Sequence, residues 1–70
     1  MIKKGTKVQW KWGSGTATGK VIETHTEEIT KTIKGSKITR KGEKDNKALL
    51  IEQEDGDKVL KLESEVEKAD

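Results

Sequence analysis

The longest unbroken apolar stretch in this chain is Ala48-Leu49-Leu50-Ile51. Four residues fall far short of the roughly 20 that a membrane-spanning helix needs, but they suit a strand buried on both sides. Every other apolar residue stands alone or in a pair among polar ones. The large ones are Ile2, Val8, Trp10, Trp12, Val21, Ile22, Ile29, Ile33, Ile38, Leu49, Leu50, Ile51, Val59, Leu60, Leu62 and Val66. In 70 residues that is a small core, and small cores are marginal against the entropy of ordering a chain. Either every apolar residue is committed to a compact barrel, or the domain draws stability from a partner. Both leave little apolar surface for an enzyme pocket, so a catalytic cleft is not expected. With no cysteine in the chain, neither a disulfide nor a thiolate metal site can add support.

The spacing predicts an all-β chain. Val8-Gln9-Trp10-Lys11-Trp12 alternates, placing Val8, Trp10 and Trp12 on one face. If that face is core, both tryptophans should be buried. Gly13-Ser14-Gly15 turns the chain, and Thr16 to Thr26 is rich in β-branched residues, with Gly19 where a bend or close backbone approach would want it. Thr30 to Arg40 reads as a hairpin around Gly35-Ser36, since glycine at the first central position suits a type II′ turn. That register sets Ile33 opposite Ile38, Thr32 opposite Thr39 and Lys31 opposite Arg40. Lys41 to Asn46 is a polar break, Glu54-Asp55-Gly56-Asp57 a second turn, and Lys58 to Leu62 the returning strand. Ser64 is placed to cap a last helical turn through Glu65-Val66-Glu67. The expectation is one domain over residues 1–70, a barrel of five or six short antiparallel strands with a protruding basic hairpin and a short C-terminal helical turn.

Charge divides along the chain. Up to Lys47 there are 12 Lys/Arg against 5 Asp/Glu, and from Ala48 onward 3 against 8, within a net charge of +2. The basic excess is densest at Lys31, Lys34, Lys37, Arg40 and Lys41. Like charges facing each other across a hairpin destabilise it, so a bare basic arm needs an explanation. Either it is a solvated edge kept soluble by lysines or it contacts a ligand.

Several stretches together resemble one known family: Lys4-Gly5-Thr6-Lys7-Val8-Gln9-Trp10, Trp12 through Gly19, His25-Thr26-Glu27, Thr32-Ile33-Lys34-Gly35, Thr39-Arg40, Asp45-Asn46, and Leu50-Ile51-Glu52-Gln53-Glu54-Asp55-Gly56. It is the hypervirulence-associated Tudor-like domain family, and the resemblance runs from Lys3 to Glu65. It implies an SH3-like, Tudor-type barrel in which the Gly35-Ser36 hairpin is elaborated, and it brings no established activity. The chain departs from the family where Lys47-Ala48-Leu49 replaces a Pro-Ala-Tyr. Tudor domains that read methylated lysine or arginine enclose the cation with several aromatic rings. Here Trp10 and Trp12 on one face, with no Phe or Tyr, cannot box in a quaternary ammonium.

Other chemistry is set aside on spacing. In Gly13-Ser14-Gly15-Thr16-Ala17-Thr18-Gly19-Lys20, Ser14 stands where a phosphate loop needs its first glycine, Val21 follows the lysine, and a strand follows instead of a helix. The dinucleotide motif fails because its third glycine comes one residue late. His25, the one histidine, could hold zinc only by recruiting Glu23 or Glu27, short of the usual ligand sets. It is expected to hydrogen-bond a loop backbone. Asp55-Gly56-Asp57 lacks the 12-residue calcium pattern. No cofactor or metal is expected.

Two functions remain. The first is a non-catalytic module binding a protein or peptide, through exposed strand edges and through Trp10 and Trp12. The second is nucleic-acid binding, with Lys31, Lys34, Lys37, Arg40 and Lys41 on phosphates. For the second, Gly5-Thr6-Lys7-Val8 with Gly13, Gly15, Gly19 and Val21 is loosely similar to the short barrel motif of ribosomal and transcription-elongation proteins. Against it stand the small net charge and the absence of aromatics among the basic residues to stack bases. Free strand edges also leave a homodimer open. The start Met1-Ile2-Lys3-Lys4-Gly5 has the lysines of a signal peptide but no apolar stretch behind them, so the expected setting is soluble and cytoplasmic, away from membrane.

Overall fold

The computed structural model describes residues 2–69. Seven strands follow one another: β1 (Lys7–Trp12), β2 (Gly15–His25), β3 (Glu28–Ile33), β4 (Ser36–Lys41), β5 (Ala48–Gln53), β6 (Lys58–Leu62) and the two-residue β7 (Glu67–Lys68). A 3₁₀ turn, Glu63–Glu65, precedes β7. β6-β5-β2-β1-β7 form one antiparallel sheet, and β3-β4 form a second of two strands. This is the small Tudor-type barrel expected, with β7 as an additional short strand. Among the described residues no helix is long and apolar enough to cross a membrane.

β2 holds the main sheet together. It pairs with β1 over Gly15–Lys20 and with β5 over Gly19–His25. The register shifts between Val21 and Glu23, and such a bulge bends a strand and increases its twist, so one strand can serve two sides of a curved sheet. Gly19 fulfils its expected role. A Cβ there would lie 2.5 Å from Ile51 Cγ2 and 2.8 Å from the Glu52 carbonyl.

β5 is buried on both faces, as its unbroken apolar run requires. Side chains alternate along a strand. Leu49 and Ile51 point into the core with Ile2, Val8, Trp10 and Val21, flanked by Ala17, Val59 and Val66. Leu50 points the other way, opposite Leu60 on β6, and both are buried. The β3–β4 hairpin lies against β6. Its inward row of Ile29, Lys31, Ile33, Ile38 and Arg40 is half-buried, while Glu28, Thr30, Thr32, Lys37, Thr39 and Lys41 are exposed.

The hairpin turn differs from the sequence reading. Its central residues are Lys34 and Gly35, both at positive φ (51° and 80°), the type I′ requirement. Ile33 therefore faces Ser36, Lys31 faces Ile38, and Thr30 faces Thr39. The type I′ backbone matches strand twist, and it brings the Thr30 and Thr39 hydroxyls to 2.8 Å. This offsets the roughly 1–2 kcal/mol that a left-handed Lys34 costs. The pairing slides by two residues relative to the expected register, so every side chain keeps its predicted face.

The C-terminal turn begins two residues earlier than expected, at Glu63 with Leu62 in the N-cap position, and Ser64 does not cap it by side chain. Instead, Glu65 Oε1 accepts from the Leu62 amide at 2.9 Å, and the Ser64 amide donates to Asn46 Oδ1 at 2.9 Å. The Glu65 carboxylate, third in the turn, reaches back to the amide of the N-cap residue, the acidic half of a capping box.

Gly19→Ala should destabilise the fold by about 1–3 kcal/mol through overpacking. Gly15→Ala, where a Cβ meets nothing within 4 Å, should not. Thermal denaturation of the two variants side by side checks this.

Candidate binding site

β5 pairs with β2 only from Gly19 onward, so the β1–β2 tip overhangs the end of the sheet. Trp12 sits at that tip, opposite Gly15 across a two-residue turn. Its face is the core face, but no strand lies opposite to cover it, and it is 65% exposed while Trp10 is 6% exposed. The expectation that the two tryptophans share burial is thus corrected: they share a face but not a depth. Trp12 is the one exposed large hydrophobic residue among those described.

Below Trp12 runs an open groove of about 410 Å³. Trp10, Ala17 and Val59 line it together with the polar Gln53 and Lys61, with Asp55 and Asp57 of the β5–β6 turn and with Lys34 from the hairpin tip. Lys34 Nζ lies 2.8 Å from Asp57 Oδ2. The hydrogen bond and the charge of Asp57 raise the Lys34 pKa above the ordinary lysine range. A depression of the same volume lies over Lys7, Thr18, Lys20 and Glu52 and has no aromatic wall.

The seven residues singled out in the sequence therefore divide among three places. Trp10, Trp12 and Lys34 meet in the groove. Lys31 and Arg40 face inward on the hairpin and bind the chain's own acids: Lys31 Nζ is 3.1 Å from Glu23 Oε1, and Arg40 Nε is 3.6 Å from Glu65 Oε1. Lys37 and Lys41 face outward on β4 and are exposed. No continuous basic face results. Sequence reading missed Asp55 and Asp57 as site residues, because a turn explained them fully. The acidic excess after Ala48 was the available signal, and its partner is the basic hairpin.

Glu23 also corrects the reading of His25. His25 Nε2 lies 2.8 Å from Glu23 Oε1, so the imidazole bonds a neighbouring carboxylate instead of a loop backbone. They stand two residues apart on β2 beyond its bulge. The His25 hydrogen bond, then that of Lys31, lowers the Glu23 pKa below the ordinary carboxylate range. Among the described residues no three His, Asp or Glu side chains gather to hold a metal ion.

A lowered carboxylate pKa means that the folded state favours ionised Glu23. Its contribution to stability is present above the ordinary carboxylate range and is lost as pH falls through the lowered value. Glu23→Gln should therefore lower the melting temperature at neutral pH and cost progressively less on acidification. Circular dichroism melts at neutral and strongly acidic pH check the convergence.

Among known families, the model for the hypervirulence associated proteins TUDOR domain matches residues 5–66. No curated protein and no solved structure matches the chain.

Proposed function

The chain belongs to the hypervirulence-associated Tudor domain family, and since a Tudor-type domain suggests a small binding module, we propose that it binds an extended peptide in the groove beneath Trp12. The observation that carries this reading is the 65% exposure of Trp12 above a groove where Trp10, Ala17 and Val59 lie beside Asp55 and Asp57. An exposed indole beside a cleft offers large contact area at small entropic cost. Lys34 on Asp57 marks the position that a basic side chain of the peptide would take, with the indole face nearby to favour a cation. A single exposed ring cannot form a cage around a methylated amine, so an ordinary lysine or arginine is the fitting group.

Nucleic-acid binding through the hairpin is the competing reading. Its support weakens with the division of the cations, since Lys31, Lys34 and Arg40 already meet Glu23, Asp57 and Glu65. A phosphate ligand would have to break these pairs or rely on Lys37 and Lys41 alone.

Amide NMR spectra recorded while adding a short lysine- and arginine-containing peptide should shift at Trp12, Ala17 and Asp57. Trp12→Ala should weaken binding about tenfold or more, roughly 1.4 kcal/mol per decade, and leave the melting temperature unchanged. Shifts confined to Lys37 and Lys41 on adding single-stranded RNA, reversed by salt, would favour the competing reading.

Quenching by acrylamide gives a separate check. Trp12 emission should be quenched readily and that of Trp10 should not. A single fully protected population would remove the basis of the proposal.

A further inference from the structure

The ion pair between Lys34 and Asp57 in the Trp12 groove joins unequal partners. Asp57 is fixed. Its carbonyl accepts from the Gln53 amide at 2.7 Å, and its amide donates to Asp55 Oδ1 at 2.9 Å, so the β5–β6 turn presents the carboxylate in one place. Lys34 is held by little besides the pair. Its side chain is 68% exposed, and the hairpin that carries it shares no main-chain hydrogen bond with the five-stranded sheet among the described residues. Where the hairpin tip meets the β5–β6 turn, an open cleft of about 200 Å³ is lined by Thr32, Ile33, Lys34, Gly56, Asp57 and Lys58. The tip is thus tethered at the turn by one flexible side chain across open space.

Position 34 also runs against its own backbone. With φ at 51° it is the first central residue of a type I′ turn, where asparagine, aspartate or glycine is preferred. The turn itself has no use for a lysine there. What the lysine does is reach Asp57 with a single contact, Nζ to Oδ2 at 2.8 Å, inside the groove that Trp10 and Trp12 line.

We propose that the hairpin tip is an intramolecular competitor for the groove: Lys34 fills the subsite on Asp57 that takes the ligand's basic side chain, and a peptide binds by displacing it. This rests on the peptide reading of the Trp12 groove. A ligand that must first empty its subsite loses apparent affinity by the fraction of molecules in which the subsite is filled. Exposed ion pairs are weak, so that loss is about two- to fivefold, enough to bias recognition without closing the site. The competition selects arginine over lysine. A peptide lysine exchanges one ammonium for another on the same carboxylate. A guanidinium makes two parallel hydrogen bonds to both carboxylate oxygens and stacks on an aromatic face such as that of Trp12. The fitting ligand is therefore an extended peptide with an arginine.

Amide NMR titrations with a capped seven-residue peptide, one central arginine among valines and threonines, and with its lysine analogue test the competition. Lys34→Asn removes the competitor and suits the type I′ backbone, so it stays folded, as circular dichroism confirms. It should bind both peptides about two- to fivefold more tightly than the wild type. Lys34→Arg, with a stronger hold on Asp57, should bind them more weakly. Lys37→Asn removes the same charge from the outward face of β4 and should bind as the wild type does, which separates displacement from net charge. The wild type should prefer the arginine peptide at least about threefold. Shifts at Trp12 with equal affinities for Lys34→Asn and Lys37→Asn would overturn the competition and leave the peptide reading standing. A preference for the lysine peptide would overturn it too. Failure of every variant to bind, Lys34→Asn included, would overturn the peptide reading and this inference with it.

Discussion

The two-sided burial of β5 is the constraint on which the rest of the structure depends. A curved sheet this small covers only its concave face, yet Leu50 and Leu60 form an apolar pair on the convex one. Leaving them in water would cost on the order of 1.5–3 kcal/mol each, a large part of the stability of a small domain. The β3–β4 hairpin is the cover. Its Ile29 and Ile33 stand four residues apart on β3, and Ile38 on β4 shares their inward row, because one face must be apolar and the other wet. The barrel thus consists of a five-stranded sheet with a second, partial layer outside it.

That layer explains the divided charge of the chain. A basic hairpin on its own would repel itself, but folded against β6 it comes to lie beside the acids of the second half. Lys34 meets Asp57 at the tip, Arg40 meets Glu65 near the base, and Lys31 reaches Glu23 on β2. Exposed pairs of this kind contribute little individually. Their larger effect is to remove the repulsion and to set the orientation of the hairpin. The same pairing leaves fewer cations for phosphates, which bears directly on function.

Much of this was legible in the residues. The six longer strands, the turns at Gly13 and Gly56, the close approach at Gly19 and the double burial of Ala48–Ile51 all follow from alternation and glycine placement. Register was harder. Gly35 suits either a type I′ or a type II′ turn, and the choice rested on whether Lys34 would accept a left-handed backbone. Strand twist and the Thr30–Thr39 contact decide that, and neither is visible in a string of letters. Ser64 was a reasonable cap, but the turn starts before it, because Glu65 and Asn46 take up the amides of Leu62 and Ser64.

The candidate site shows where sequence reading stops. Period-two alternation determined that Trp10 and Trp12 share a face, because successive side chains on a strand must point opposite ways. It could not determine how far along that face the cover extends. Coverage depends on where β5 starts to pair with β2, at Gly19, so Trp10 lies in the core and Trp12 stands at its open end. Likewise the sequence by itself determined that the hairpin is basic and amphipathic. Only the tertiary structure decided which cations meet acids and which stay exposed, since those outcomes depend on how one layer lies on another.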